Sequence, residues 1–149
     1  MQQTRASARA IDAYLRRLGL DRAELDRAGP SVDALFAIHR RHVELVTYET
    51  TWIHLGEQWG IGSADALERI ATAGRGGYCF HLNGALSMLL AALGYDVTLH
   101  VGGVHRGEPD AADLRNHLVL LVHVSACSAR PAVSATGTSP MTRPGPSPA

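Results

Sequence analysis

Apolar residues recur at helical spacing along roughly the first ninety positions and then switch to strict alternation, and that change of period organises the chain. Ile11, Tyr14, Leu15 and Leu18 fall at i, i+3, i+4 and i+7, with Gly19 as a stop, which predicts a first amphipathic helix. A second is predicted from a Ser31 cap, after Gly29-Pro30, to about Val46, burying Val32, Leu35, Phe36 and Val43. Residues 47–62 are mixed and glycine-interrupted, and read as an irregular connection. A third helix opens at a Ser63 cap, places Asp65 and Glu68 near its positive end, presents Leu67, Ile70 and Ala71, and ends at Gly74. A fourth starts at or beside Cys79, shows Leu82, Leu86, Leu89, Leu90 and Leu93, and closes at Gly94.

From Tyr95 the period becomes two: Val97, Leu99 and Val101 alternate with polar neighbours, predicting a half-buried strand that Gly102-Gly103 weakens or bends. A polar loop from Arg106 to Arg115 leads to a second strand, 116–124, whose apolar run suggests burial on both faces. Helices first and strands afterwards predict an α+β fold. Residues 1–94 read as a helical domain carrying the cysteine, and 95–124 as the first strands of a second domain. In 125–149, serine, alanine and proline supply 15 of 25 residues, a composition expected to stay disordered because it offers little apolar surface to offset chain entropy. No acidic residue follows Asp113, and the abrupt break after Val124 suggests a truncated or frameshifted chain.

Charge narrows the partners. Fourteen arginines balance 14 acidic residues, leaving no basic excess for nucleic acid or an anionic membrane, so small or neutral partners are expected. The N-terminus lacks the continuous apolar core of a signal peptide, and no stretch reaches the roughly eighteen apolar residues of a membrane span. Two cysteines, Cys79 and Cys127, are too few for a disulfide framework, so a reducing cytoplasm is the expected compartment. His39 and His42 lie three apart and Cys79 and His81 two apart, without the paired spacing of a structural zinc site, and no metal is expected.

The chemistry concentrates at Arg75-Gly76-Gly77-Tyr78-Cys79-Phe80-His81-Leu82-Asn83. A lone cysteine is more often a core residue than a nucleophile. Here paired glycines permit a tight entry and deliver the thiol to the first turn of a helix, where free N–H groups and the helix dipole stabilise an anion. A thiol nucleophile needs an imidazole to take its proton, and His117, on the strand that follows, is the leading candidate. Glu49 is a candidate partner for Arg75, which would hold the loop before the cysteine.

The segment from Arg75 to Phe80, with Asn83-Gly84, Leu93-Gly94-Tyr95-Asp96-Val97 and Asn116-His117-Leu118-Val119-Leu120-Leu121-Val122, resembles the N-terminal half of the arylamine N-acetyltransferases. Tyr14-Leu15-Arg16-Arg17-Leu18-Gly19 and Leu35-Phe36-Ala37-Ile38-His39 resemble that family's opening helices. The resemblance covers roughly residues 10–124 and implies a helical bundle with a papain-like cysteine helix, followed by the start of an antiparallel β-barrel. It also implies that Cys79 accepts acetyl from acetyl-CoA, with His117 as its base, and passes it to a small aromatic amine or hydrazine. Acetyl-CoA is then a substrate, and no bound cofactor is implied.

Three departures from the family pattern stand out. The third triad residue, an aspartate, has no counterpart, the matching region being Arg130-Pro131-Ala132-Val133-Ser134-Ala135; His81 replaces an acidic residue; and a phenylalanine-glutamate-asparagine motif appears as Tyr48-Glu49-Thr50. Two alternatives stay open on these grounds: an inactive remnant of the family, or another papain-like cysteine enzyme such as a peptidase or transglutaminase-like protein.

Overall fold

A computed structural model describes residues 6–104 and 115–124. Among them are six helices, α1 (Ala8–Leu18), α2 (Arg22–Ala28), α3 (Val32–Leu45), α4 (Thr51–His54), α5 (Ser63–Thr72) and α6 (Cys79–Ala92). Two strands follow, β1 (Asp96–Gly102) and β2 (His117–His123), so the α+β reading holds. The disorder expected for 125–149, most of the loop from Arg106, and the family's missing aspartate all fall outside the described residues.

Helix α6 is the central element: α5 and α1 pack on it, and the sheet lies against it. Ile11, Tyr14, Leu15 and Leu18 of α1 are almost wholly buried, as their spacing requires, and they meet Leu67 and Ile70 of α5 and Leu89 and Leu90 of α6. Gly19 ends α1 in the left-handed conformation (φ 64°), which a side chain would strain. Arg17 ties the bundle together from the polar edge of α1. Its guanidinium donates to the carbonyls of Ile70 (2.5 Å), Arg75 (2.7 Å) and Gly74 (3.1 Å), gathering the end of α5 and the chain leaving it under one positive charge.

Helix α3 begins at its Ser31 cap, but it buries Ala34, Ile38 and His42 rather than the face first expected. Val32, Phe36 and Val43 are 50%, 66% and 59% exposed. The cause is a polar anchor: the Tyr14 hydroxyl and His42 Nδ1 share a buried hydrogen bond of 2.6 Å. Turning His42 inward carries Val43, about 100° further round the helix, outward. Helix α5 likewise departs from expectation, because Gly62 and not Ser63 occupies the cap position and no side chain caps it. Helix α2, capped by Asp21, and the single turn α4 lie where no element was predicted. Both are too short for periodicity to reveal.

The strands form an antiparallel pair in which Asp96 faces His123 and Gly102 faces His117. Burial of β2 on both faces is not observed. Leu118 is buried and Leu120 and Val122 half-buried, whereas Val119 and Leu121 are 45% and 49% exposed, because only one face of the two-stranded sheet has α6 to pack on. No helix among the described residues is long and apolar enough to cross a membrane.

Candidate active site

Two short backbone segments meet just before α6. Tyr48 and Gly77 form an isolated parallel bridge, in which the Glu49 N–H donates to the Gly77 carbonyl (3.0 Å) and the Gly77 N–H to the Thr47 carbonyl (3.3 Å). The approach explains the glycines. A Cβ on Gly76 would lie 1.7 Å from the Thr47 oxygen, and one on Gly77, at φ 151°, would lie 2.6 Å from His81 Nδ1. Glu49 completes the clasp. Its carboxylate accepts from Arg75 Nε (2.9 Å) and the Gly76 N–H (3.4 Å), so the predicted pair forms. The hydrogen bond from Arg75, with help from Gly76, holds the Glu49 carboxyl below the usual range.

The clasp delivers Cys79 to the first residue of α6, buried and with a free thiol. Tyr78 supplies no side-chain cap, and the first backbone N–H groups of the helix, those of Cys79 and Phe80 foremost, have no intrahelical acceptor. They carry the positive end of the helix dipole at the turn that bears Cys79.

Strand β2 enters at this point. The Cys79 thiol donates to the carbonyl of Asn116 (3.7 Å), the residue immediately before His117. Cys79 thus touches the residue next to His117 in sequence, and among the described residues no hydrogen bond joins the Cys79 and His117 side chains. His117 lines a groove of about 330 Å³ whose walls include Phe36 of α3, Asn83 and Leu86 of α6, and Leu118 and Leu120 of β2.

Around the clasp lies an aromatic cluster. Trp52 stacks on Trp59 (5.0 Å, 6° between planes) and on Tyr78 (6.0 Å), and the fully buried His81 ring stands edge-on to all three. Arg69 and Arg75 each place their guanidinium carbon 4.6 Å from the Trp59 ring centre, in cation–π contact. His81 Nε2 lies 3.1 Å from the Gly60 carbonyl, which fixes the proton on that nitrogen and turns the connection 55–62 against the cysteine loop. Burial, with the positive charge of Arg69, pushes the His81 pKa down, only partly offset by the Gly60 bond. His81 Nδ1 and Arg69 Nε and Nη2 are buried and have no hydrogen-bond partner among the described residues. An acidic residue in place of His81, as the resemblance implied, would lie within reach of that guanidinium's field.

The sequence pattern pointed to Cys79, His117, Glu49 and Arg75, of which the structure shows Glu49 and Arg75 paired; the two tryptophans and the tie from Asn83 to β2 were not predicted. Trp59 carried a signal in the glycines at 56, 60 and 62 of its loop, of which Gly56 adopts a left-handed conformation (φ 72°). Asn83 carried one in its spacing, four residues after Cys79 on the same helical face. No group of three or more histidine, cysteine or acidic side chains among the described residues could hold a metal.

Comparison with known proteins gives a consistent answer. A family model described as N-acetyltransferase matches residues 31–127. The chain is 38% identical over 94 residues to the arylamine N-acetyltransferase pineal gland isozyme NAT-3 of Gallus gallus, covering 62% of this chain and 32% of that protein. It is 34% identical over 123 residues to the arylamine N-acetyltransferase of Mycolicibacterium smegmatis, covering 80% of this chain and 43% of that protein. Its fold superposes on the arylamine N-acetyltransferase of Salmonella typhimurium with a TM-score of 0.68 at 28% identity, over 80% of this chain and 42% of that one. The chain therefore spans well under half the length of these relatives.

Proposed function

The chain belongs to the arylamine N-acetyltransferase family, and from that premise we propose that it carries out acetyl transfer from acetyl-CoA, through a thioester on Cys79, to a small aromatic amine or hydrazine. The observation that carries the reading is the placement of Cys79 at the uncapped start of α6, against the residue preceding His117. In the first half-reaction the Cys79 sulfur attacks the thioester carbonyl of acetyl-CoA as His117 takes the thiol proton. The N–H groups at the start of α6 receive the developing oxyanion. The carbon–sulfur bond to CoA then breaks, His117 returns its proton to the departing sulfur, and free CoA leaves.

In the second half-reaction an amine attacks the carbonyl of the Cys79 thioester and gives a proton to His117; the acetyl carbon–sulfur bond breaks, the amide departs, and His117 returns the proton to the Cys79 sulfur, restoring the thiol. The two strands β1 and β2 would be the first of an antiparallel barrel built around this site. Family membership favours the transferase over the peptidase or transglutaminase-like reading. The reading is tested by following CoA release with and without an aromatic amine such as aniline. Turnover that needs the amine and is lost in Cys79→Ala is expected; CoA release undiminished in Cys79→Ala overturns it.

A further inference from the structure

Helix α6 meets β2 at two points on either side of His117. The Cys79 thiol donates to the carbonyl of residue 116, and Asn83 Nδ2, one helical turn on, donates to the carbonyl of Leu118 at 2.6 Å. One turn of helix rises about 5.4 Å and two strand residues advance about 6.6 Å, so both contacts form with the strand running along the helix start. The other flank of the same strand is held as well. Asn116 Oδ1 accepts from the Val104 N–H and its Nδ2 donates to the Val104 carbonyl, both at 2.8 Å, extending the ladder beyond Gly102 by a side chain.

Of these contacts, the Asn83 bond is the one that links a side chain of the nucleophile's own helix to the backbone directly after the base. Asn83 and His117 also line the same groove. The geometry points to Asn83 as a positioning residue for acetyl transfer: it fixes the backbone of His117 against the helix that carries Cys79, and so sets the imidazole within reach of the sulfur. This rests on the proposed roles of Cys79 and His117. Asn83 acts through His117 and takes no proton itself.

The test is the rate of alkylation by iodoacetamide at the Cys79 peptide, read by mass spectrometry so that Cys127 does not contribute, in the full chain, Asn83→Ala, His117→Ala and the double variant. At pH 7 Asn83→Ala is expected to react about ten-fold more slowly than the parent chain. The double variant should be no slower than His117→Ala, because residues acting as one unit are not additive. A rate within about two-fold of the parent at pH 7, or an equal slowing in the His117→Ala background, overturns the role of Asn83 alone. Equal rates for the parent and His117→Ala overturn the proposed base, and this inference with it. Should Asn83→Ala lose its fold by circular dichroism, Asn83→Asp keeps the side-chain shape and removes the donor; its effect must differ between the two His117 backgrounds, and an equal effect in both refutes the inference.

Discussion

Gly76 shows how a single hydrogen in place of a methyl group permits the close packing of the loop before Cys79. With a Cβ 1.7 Å from the Thr47 oxygen, Gly76→Ala cannot be absorbed by a side-chain rotation, since the obstacle is backbone. The variant is expected to lose about 3 kcal/mol or more in urea unfolding, or to open the Tyr48–Gly77 bridge and expose Cys79 to thiol reagents. A stable variant with Cys79 still protected would contradict the packing described. Arg75→Ala addresses the same clasp electrostatically. Freed from Arg75, Glu49 no longer has its main reason to hold the Gly76 N–H, and slower acylation of Cys79 is expected; unchanged reactivity and melting temperature would remove the clasp from the account.

The elements differ in how far the sequence foretold them, and the differences have physical causes. Helix α1 was readable because its apolar stripe and following glycine state both its face and its end, whereas α6 is apolar nearly all round, as a central helix is, so that its pattern and following glycine state its extent but not a face. Helix α3 was found but turned the wrong way, since a buried Tyr14–His42 hydrogen bond outweighed Val43, and a polar anchor leaves no trace in a hydrophobic period. The apolar run of β2 promised two covered faces, yet covering the second needs further structure beyond β1 and α6. In the candidate site, Cys79 and His117 stood out in the sequence as residue types; the cluster around Trp59 did not, because it is assembled from three separated segments. At this scale Arg17→Ala should cost about 2 kcal/mol or more, through loss of several charge-assisted bonds to carbonyls at and beyond the end of α5. Arg17→Lys should restore little of it, since one ammonium cannot reach the same spread of oxygens. Equal stability of Arg17→Ala and the parent chain would refute the staple.

Across the whole molecule the buried histidines tie stability to pH. Burial, reinforced by the charges of His39 and Arg17, pulls the His42 pKa down to about 4 from an ordinary 6.5, and His81 is shifted in the same direction. Between those two values the unfolded chain binds the proton that folded His42 refuses, so stability is full above pH 6.5 and falls as pH drops toward 4. The loss from His42 amounts to about 3 kcal/mol at most, and His42→Gln should flatten much of that slope. Urea unfolding at pH 7.5, 6 and 5 checks the sign; stability that rose on acidification would contradict it.

The decisive experiment on the proposed acceptance of an acetyl group by Cys79, at the start of α6 beside the strand bearing His117, is intact-protein mass spectrometry after brief incubation with acetyl-CoA, followed by peptide mapping. A gain of one acetyl group located on Cys79 is expected, absent in Cys79→Ala and much slower in His117→Ala. A folded chain that gains no acetyl group, or gains it equally in Cys79→Ala, would rule out Cys79 as the acceptor.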